Sequence, residues 1–134
     1  GGELVCGGDA PARPGYFFEP TVFARMRADM TPVKSEIFGP VLCVQSFDDA
    51  DLDRVAAEAN STIYGLSGSV WTRDIGLAMQ MVRRIDAGQV SVNMHAALDP
   101  AMPFGGNKQS GWGREFGKEG LEPYLKTKGV SVAW

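Results

Sequence analysis

The hydrophobic and polar positions between residues 41 and 92 switch repeatedly between two periods. Short apolar segments at residues 41–47, 69–72 and 89–92 predict strands. The two segments between them, residues 52–60 and 75–85, repeat apolar residues at the spacing of an amphipathic helix. Crossovers of about a dozen residues or more join parallel neighbours in a sheet. The pattern therefore predicts an α/β fold in which crossover helices connect the strands of a parallel sheet.

Shorter elements precede this region. Residues 3–6 predict a strand, and a second short apolar stretch follows Pro20. Pro32 favours a short helical turn, because proline fits the first turn of a helix. Asp48 or Asp49 is expected to cap the helix that follows the strand at residues 41–47.

The pattern becomes irregular after residue 92. Residues 93–113 lack periodicity over about twenty residues, and a loop of that length in a compact domain is usually functional or mobile. It also follows the carboxyl end of a strand, where open α/β sheets bind their ligands. Residues 115–128 predict a broken helix. Residues 130–134 predict an apolar strand with no partner evident in the chain, which indicates pairing with another subunit.

Composition narrows the class of protein. The chain has 134 residues, of which 44% are hydrophobic and 22% charged, with a formal net charge of -3. These values indicate a folded globular protein that has no reason to bind nucleic acid. No apolar run approaches the roughly 18 residues of a membrane span, so a cytoplasmic protein is the simplest interpretation. The chain begins at Gly1 without a Met, which processing or a cut within a longer protein explains equally well.

Few residues offer reactive groups. Cys6 and Cys43 lie far apart without CxxC spacing, and His95 is the only histidine, so a structural zinc site has too few ligands. We expect both cysteines to be small buried hydrophobes. His95 has the chemistry of a general base. With no Ser or Cys partner identifiable nearby, it is expected instead to lie in a loop or pocket wall.

The stretch from Glu36 to Pro40 offers a candidate ligand site. In an extended segment, Glu36 and Phe38 point the same way because they are two residues apart. A carboxylate accepts hydrogen bonds from a sugar diol, and a ring beside it supports a flat heterocycle. The pair therefore suits the ribose and base of a nucleotide. The alternative is a solvated charge next to a core side chain.

The glycines of the late loop do not match a phosphate-binding motif. Gly106 and Gly111 have GxxxxG spacing, but Trp112 and Gly113 stand where Lys and Ser or Thr are required. We expect these glycines to turn the backbone. Apolar residues of the same loop either belong to the core or line a pocket for an apolar substrate. They are Met94, Leu98, Met102 and Phe104.

Several motifs follow one another in a recognisable order. They are GYFFEPTVF at residues 15–23, EIFGPV at 36–41, YGL at 64–66, VN at 92–93, PFGGNKQSG at 103–111 and GRE at 113–115. In order and spacing they resemble the C-terminal portion of the NAD(P)-dependent aldehyde dehydrogenases. The resemblance spans essentially the whole chain, and several motifs in register make it specific.

The resemblance implies roles for four side chains. Glu36 would hold the hydroxyls of the nicotinamide ribose, and Phe38 would pack against the nicotinamide. Leu98 and Phe104 would belong to the wall of the aldehyde tunnel, together with the rest of residues 94–98. NAD or NADP is the cofactor that these matches imply.

The same resemblance divides the chain by role. Residues 1–128 would form the C-terminal part of the catalytic domain. Residues 129–134 would form an oligomerisation strand that joins the sheet of a neighbouring subunit. A homodimer or homotetramer is therefore expected.

The resemblance also implies that the reactive groups lie upstream. The family's reactive cysteine, glutamate base, oxyanion asparagine and Rossmann-type cofactor domain precede the matched portion, and neither Cys6 nor Cys43 matches the nucleophile. The parent protein is expected to oxidise an aldehyde to a carboxylic acid, and the isolated chain to be inactive. Within the family, residues 93–104 look most like those of the aryl-aldehyde members, which implies substrates such as phenylacetaldehyde. Small Ala96 and Ala97 beside Leu98 would leave room for a ring. The alternative is a non-catalytic module that assembles with or regulates full-length subunits.

Overall fold

A computed structural model describes residues 1–48, 50–95 and 97–134 of the chain. The chain forms two compact units, Gly1–Ile63 and Tyr64–Trp134. Each unit has its own sheet, of three strands in the first and two strands in the second.

The first unit is built on a mixed sheet with the strand order β1, β2, β3. Strand β1 (Glu3–Cys6) pairs antiparallel with β2 (Thr21–Ala24), and β2 pairs parallel with β3 (Val41–Cys43). The unit also contains the short helix α1 (Thr31–Lys34) and the helix α2 (Leu52–Ala59). Strand β2 is therefore the central strand, and β1 and β3 are the two edges of this sheet.

The buried polar group of this unit is fully hydrogen-bonded. Thr21, at the start of β2, is 2% exposed. Its hydroxyl accepts from the Gly8 N–H at 2.8 Å and donates to the Glu19 carbonyl at 2.8 Å. A buried hydroxyl without such partners would cost folding free energy. Thr21 therefore fixes the chain that connects β1 to β2.

The second unit is a strand, helix, strand crossover. Strands β4 (Ser67–Val70) and β5 (Gln89–Val92) pair in parallel, and helix α3 (Ile75–Arg84) joins them and packs on both. The Asp74 carboxylate caps α3 by accepting from the N–H groups of Gly76 and Leu77, at 2.7 and 3.1 Å. Ala78 of α3 is completely buried. This crossover confirms the predicted parallel pairing around α3.

The predicted α/β fold class is confirmed, and the described strands form two small sheets. Strand β3 pairs with β2 in the first unit, whereas β4 pairs with β5 in the second. Strand β1 is antiparallel to its neighbour. The periodicity located β3, β4 and β5, but pairing depends on contacts distant in sequence, which periodicity does not report.

Several predicted element ends also shift. Strand β3 ends at Cys43 instead of residue 47, and its partner β2 ends at Ala24, just before Arg25, whose φ is 52°. Helix α2 is capped by Asp51, which accepts from the Arg54 N–H at 3.0 Å. Asp48 therefore does not cap this helix, and Asp49 lies outside the described residues.

The predicted helix at residues 115–128 is largely absent. Phe116 and Gly117 have φ values of 59° and 56°, which a continuous right-handed helix does not accommodate. The 3₁₀ helix Glu122–Tyr124 is the helical element of this segment within the described part of the chain. A second 3₁₀ helix covers Lys108–Ser110.

Residues 130–134 form no strand in the single described chain. A strand is defined by its partner, so the predicted oligomerisation strand stays a prediction. Across the described ranges, no helix combines the length and apolar character needed to cross a membrane.

Candidate functional site

The Glu36 to Phe38 segment connects α1 to β3 as a turn rather than as an extended strand. Ser35 closes α1 by donating its N–H to the Thr31 carbonyl at 2.9 Å. Phe38 has a φ of 54°, in the left-handed region. The expectation of an extended segment is therefore wrong at Phe38. A bulky residue held at a positive φ is unusual and commonly marks a functional turn.

The turn nevertheless brings Glu36 and Phe38 to one cavity. Both residues line an open cavity of about 300 Å³, together with Cys43. The Phe38 side chain is 92% exposed, so its ring is available to a ligand. A carboxylate and an exposed ring at the same cavity fit the hydroxyls and the flat base of a nucleotide. Its other lining residues are Pro32, Ser35, Ile37, Gly39 and Val41.

The cysteines differ from expectation. Cys6 is exposed and Cys43 is half-buried, and both are free thiols. Cys6 lies on the edge strand β1, whose four residues are all exposed. The thiol of Cys43 lies 3.5 Å from the Pro32 carbonyl oxygen. Within the described ranges, no group of three His, Cys, Asp or Glu residues is placed to hold a metal ion.

A second cavity, of about 320 Å³, lies in the second unit along residues 105–113, the glycine-rich loop. Phe104 and Glu115 both line it, and they exchange two backbone hydrogen bonds of 2.7 Å each. This bridge fixes the backbone of half-buried Phe104. Leu98 is not among the residues that line this cavity, and it is 56% exposed. The substrate-wall roles of Leu98 and Phe104 stay predictions.

Arg114 holds the glycine-rich loop in place, a role that the sequence analysis missed. Its Nη1 donates to the carbonyls of Gly106 and Gly113 at 2.7 and 2.9 Å, and its Nη2 donates to Asn107 Oδ1 at 2.8 Å. The Asn107 side chain in turn donates to Asp86 Oδ1 at 2.9 Å. An arginine directly after a glycine-rich stretch was the signal that could have suggested this clamp, because a guanidinium carries five donors in a fixed fork.

The glycines serve two different purposes. Gly111 has a φ of 114°, so it turns the backbone as predicted. Gly88 instead allows close approach, since a Cβ there would lie 1.7 Å from the Gly105 carbonyl oxygen. Gly106 is similarly confined, because its Cβ would lie 2.6 Å from the carbonyl oxygen of Ser110.

His95 does have a serine partner, contrary to the sequence analysis. Its Nδ1 lies 2.9 Å from the hydroxyl of Ser69, in a hydrogen bond whose direction depends on the histidine tautomer. The two residues are 26 positions apart and meet because β4 and β5 are neighbours. Sequence spacing does not reveal this pairing. His95 is exposed, and its position in a loop agrees with the expectation.

The chain is similar in sequence to known proteins along its whole length. Residues 1–130 match the sequence profile of the Aldehyde dehydrogenase family. The chain is 46% identical over its whole length to cytosolic 10-formyltetrahydrofolate dehydrogenase of Xenopus laevis, and covers 15% of that protein. It is 43% identical, again over its whole length, to phenylacetaldehyde dehydrogenase of Pseudomonas fluorescens, and covers 27% of it.

A solved structure agrees with the sequence comparisons. Betaine aldehyde dehydrogenase of Staphylococcus aureus, crystallised in complex with NAD⁺, superposes with a TM-score of 0.88 at 42% identity. The match covers 96% of this chain and 26% of the other.

The fold and the matched profile define an α/β protein with the fold of the aldehyde dehydrogenases. The chain belongs to the aldehyde dehydrogenase family, which confirms the predicted resemblance. It spans about a seventh of the length of the formyltetrahydrofolate dehydrogenases and about a quarter of the phenylacetaldehyde dehydrogenase.

Proposed function

We propose that this chain is the part of an aldehyde dehydrogenase that holds the nicotinamide ribose and lines part of the aldehyde site. The whole protein oxidises an aldehyde to a carboxylic acid and reduces NAD or NADP. The observation that carries the proposal is the shared cavity of Glu36 and Phe38. Family membership and the NAD⁺ complex of the Staphylococcus aureus relative support it.

The residues of the cavity fit the cofactor chemically. The Glu36 carboxylate has two oxygens that accept hydrogen bonds from the two ribose hydroxyls. The exposed Phe38 ring offers an apolar face to the nicotinamide. Bound NAD(P) supplies the acceptor for the hydride that leaves the substrate. This chain orients that acceptor, and the reactive cysteine and its base belong to polypeptide outside the chain, so the isolated chain is inactive.

The proposed substrate is an aryl aldehyde. Leu98 offers an exposed apolar side chain, and Ala97 beside it is small enough to leave room for a ring. Ala96, which sequence analysis assigned to the same wall, lies outside the described residues. Similarity to a phenylacetaldehyde dehydrogenase supports this substrate class. The higher identity to formyltetrahydrofolate dehydrogenases makes a formyl group carried on a folate the alternative to test.

The proposed assembly is a homodimer or homotetramer in the cytoplasm. Val130, Val132 and Trp134 of the terminal segment are all exposed, and Trp134 is fully accessible to solvent. Apolar residues at an unpaired chain end favour addition to the sheet edge of a second subunit. The cytosolic name of the Xenopus relative supports the compartment.

The test uses protein expressed from the complete reading frame that contains this chain. Production of NADH or NADPH is followed with phenylacetaldehyde and with acetaldehyde. Glu36→Gln is expected to raise KM for the cofactor about tenfold, because a charge-assisted hydrogen bond is replaced by a neutral one. Glu19→Gln is the matched control, since Glu19 is exposed in the same unit. An unchanged KM in Glu36→Gln would contradict the proposed ribose contact.

The second candidate is the non-catalytic assembly module. The exposed apolar residues at 130–134 are the observation that favours it. The intact mass of the protein in its source cell separates the two. A mass near 14.4 kDa would support the module, and a mass several times larger would support the dehydrogenase.

A further inference from the structure

The segment that follows β5 is tied to the sheet at alternate residues. Each tie is a hydrogen bond that involves a side chain. Its partner in the sheet lies in β4, in β5 or, for Thr72, two residues beyond the end of β4. The distances lie between 2.7 and 2.9 Å. The three pairs are Asn93 with Thr72, His95 with Ser69, and Ala97 with Gln89.

Met94, between two of these ties, and Leu98, beyond the last of them, present apolar side chains to solvent. Met94 is 48% exposed and Leu98 is 56% exposed. Two exposed apolar residues on an anchored segment form a defined surface, whereas the same residues on a free loop would sample many positions. The anchors therefore determine where the Met94 and Leu98 side chains lie.

The hydrogen bond from the Gln89 side chain holds Ala97, the residue directly before Leu98. The Gln89 Nε2 donates to the Ala97 carbonyl at 2.7 Å, and the bond is partly buried. The Gln89 backbone is itself fixed, because its N–H bonds to the Leu66 carbonyl at 3.1 Å. A peptide group is planar, so fixing the Ala97 carbonyl also fixes the nitrogen and Cα of Leu98.

We propose that Gln89 is a positioning residue that sets substrate size selection by fixing Leu98. The inference rests on the proposed function, in which Leu98 belongs to the aldehyde wall. Gln89 touches neither aldehyde nor cofactor in this account. Removal of the Gln89 Nε2 donor frees the peptide between Ala97 and Leu98. The aldehyde wall then loses the shape that fits an aromatic ring.

The test compares KM and kcat in the whole protein for phenylacetaldehyde and acetaldehyde. Gln89→Met removes the donor and keeps the length of the side chain. It is expected to raise KM for phenylacetaldehyde about three- to tenfold, the effect of losing one hydrogen bond. The kcat, the KM for acetaldehyde and the KM for the cofactor stay within about twofold of the original values, because no reacting group changes.

A double-mutant cycle shows whether Gln89 acts through Leu98. Leu98→Ala alone raises KM for phenylacetaldehyde, and adding Gln89→Met is expected to change it little further, because the side chain that Gln89 positions is already gone. Gln89→Glu is a second variant that keeps the shape and, while ionised, lacks the donor. Gln80→Met is the matched control, since Gln80 is exposed on α3.

The outcomes separate this inference from the proposed function. If the unsubstituted protein oxidises neither aldehyde, the proposed function fails and the inference fails with it. If Leu98→Ala changes KM but Gln89→Met and Gln89→Glu do not, the inference alone is overturned. Equal losses of kcat for both aldehydes, or fully additive effects in the double variant, would also overturn it.

Discussion

Asn93 and Thr72 hold each other through two reciprocal hydrogen bonds. The Thr72 N–H donates to Asn93 Oδ1 at 2.9 Å, and Asn93 Nδ2 donates to the Thr72 carbonyl at 2.9 Å. Thr72 follows β4 and Asn93 follows β5, so a side-chain amide continues the pairing that backbone groups make up to Val70 and Val92. Asn93 has a φ of 53°, a conformation that asparagine tolerates better than most residues.

The first prediction concerns this pair. Asn93→Leu removes both hydrogen bonds and places a branched side chain at a positive φ, so we expect a loss of about 2 to 4 kcal/mol in unfolding free energy. Chemical denaturation of the protein measures this loss. Asn93→Gly is the control that relieves the strain but lacks the bonds, and it should lose less. Equal stability of Asn93→Leu and the unsubstituted protein would contradict the structural role.

The sequence predicted the local elements better than their pairing. The periods of apolar residues located α2 and α3, because each helix depends on residues close in the chain. Strand β4 ends at Val70 instead of residue 72 because Thr72 bonds to the Asn93 side chain. The end of this strand depends on Asn93, which is 21 positions away from Thr72, so a local sequence pattern does not predict it.

The candidate site shows the same division. Glu36 and Phe38 are close in sequence, so their shared cavity was predictable, although the left-handed turn at Phe38 was not. The partnership of His95 with Ser69 joins a loop residue to strand β4, 26 positions away, and was missed. The clamp by Arg114 was missed as well, because its acceptors are mainly backbone carbonyls, which sequence does not distinguish.

The second prediction concerns Gly88, which lies against the glycine-rich loop. A Cβ at Gly88 would fall 1.7 Å from the Gly105 carbonyl oxygen, and this backbone atom does not move aside cheaply. Gly88→Ala is expected to cost about 1 to 3 kcal/mol, the usual penalty of overpacking. Thermal unfolding measures the effect. Gly113→Ala is the matched control and should be close to neutral, because nothing lies within 4 Å of a Cβ at that position.

The third prediction concerns pH. Arg27 Nε and Nη2 donate to the two carboxylate oxygens of Asp29 at 3.0 and 3.2 Å, and these hydrogen bonds lower the pKa of Asp29 below its ordinary value. A carboxyl with a lowered folded-state pKa adds stability above its unfolded-state pKa. That contribution disappears as the pH falls through the folded-state value. Both groups are exposed, so the effect on overall stability is small.

An NMR titration of the Asp29 carboxyl measures this shift directly. The midpoint is expected below that of an ordinary aspartate, and Arg27→Met should move it upward. Arg83→Met is the control, since Arg83 lies on α3 in the other unit. A midpoint that Arg27→Met leaves in place would show that the hydrogen bonds are not the cause.

The last prediction concerns Arg114. Its guanidinium bonds at once to the carbonyls of Gly106 and Gly113 and to Asn107 Oδ1, and a lysine ammonium lacks the planar fork that makes this possible. Arg114→Lys keeps the charge, so any loss reports geometry rather than net charge. We expect a cost of about 1 to 2 kcal/mol in unfolding free energy, measured by denaturation.

Arg114→Lys should also loosen the backbone that lines the cavity containing Phe104, Arg114 and Glu115. Arg114 is followed by Glu115, whose backbone makes both hydrogen bonds to Phe104, so a loosened arginine frees the bridge that holds Phe104. Hydrogen exchange at the Phe104 and Glu115 amides is therefore expected to speed up in Arg114→Lys, because both amides are donors in that bridge. Arg83→Lys, which changes an exposed arginine of α3 in the same way, should leave both amides protected. Unchanged protection in Arg114→Lys would mean that the Phe104–Glu115 bridge holds the loop without the guanidinium.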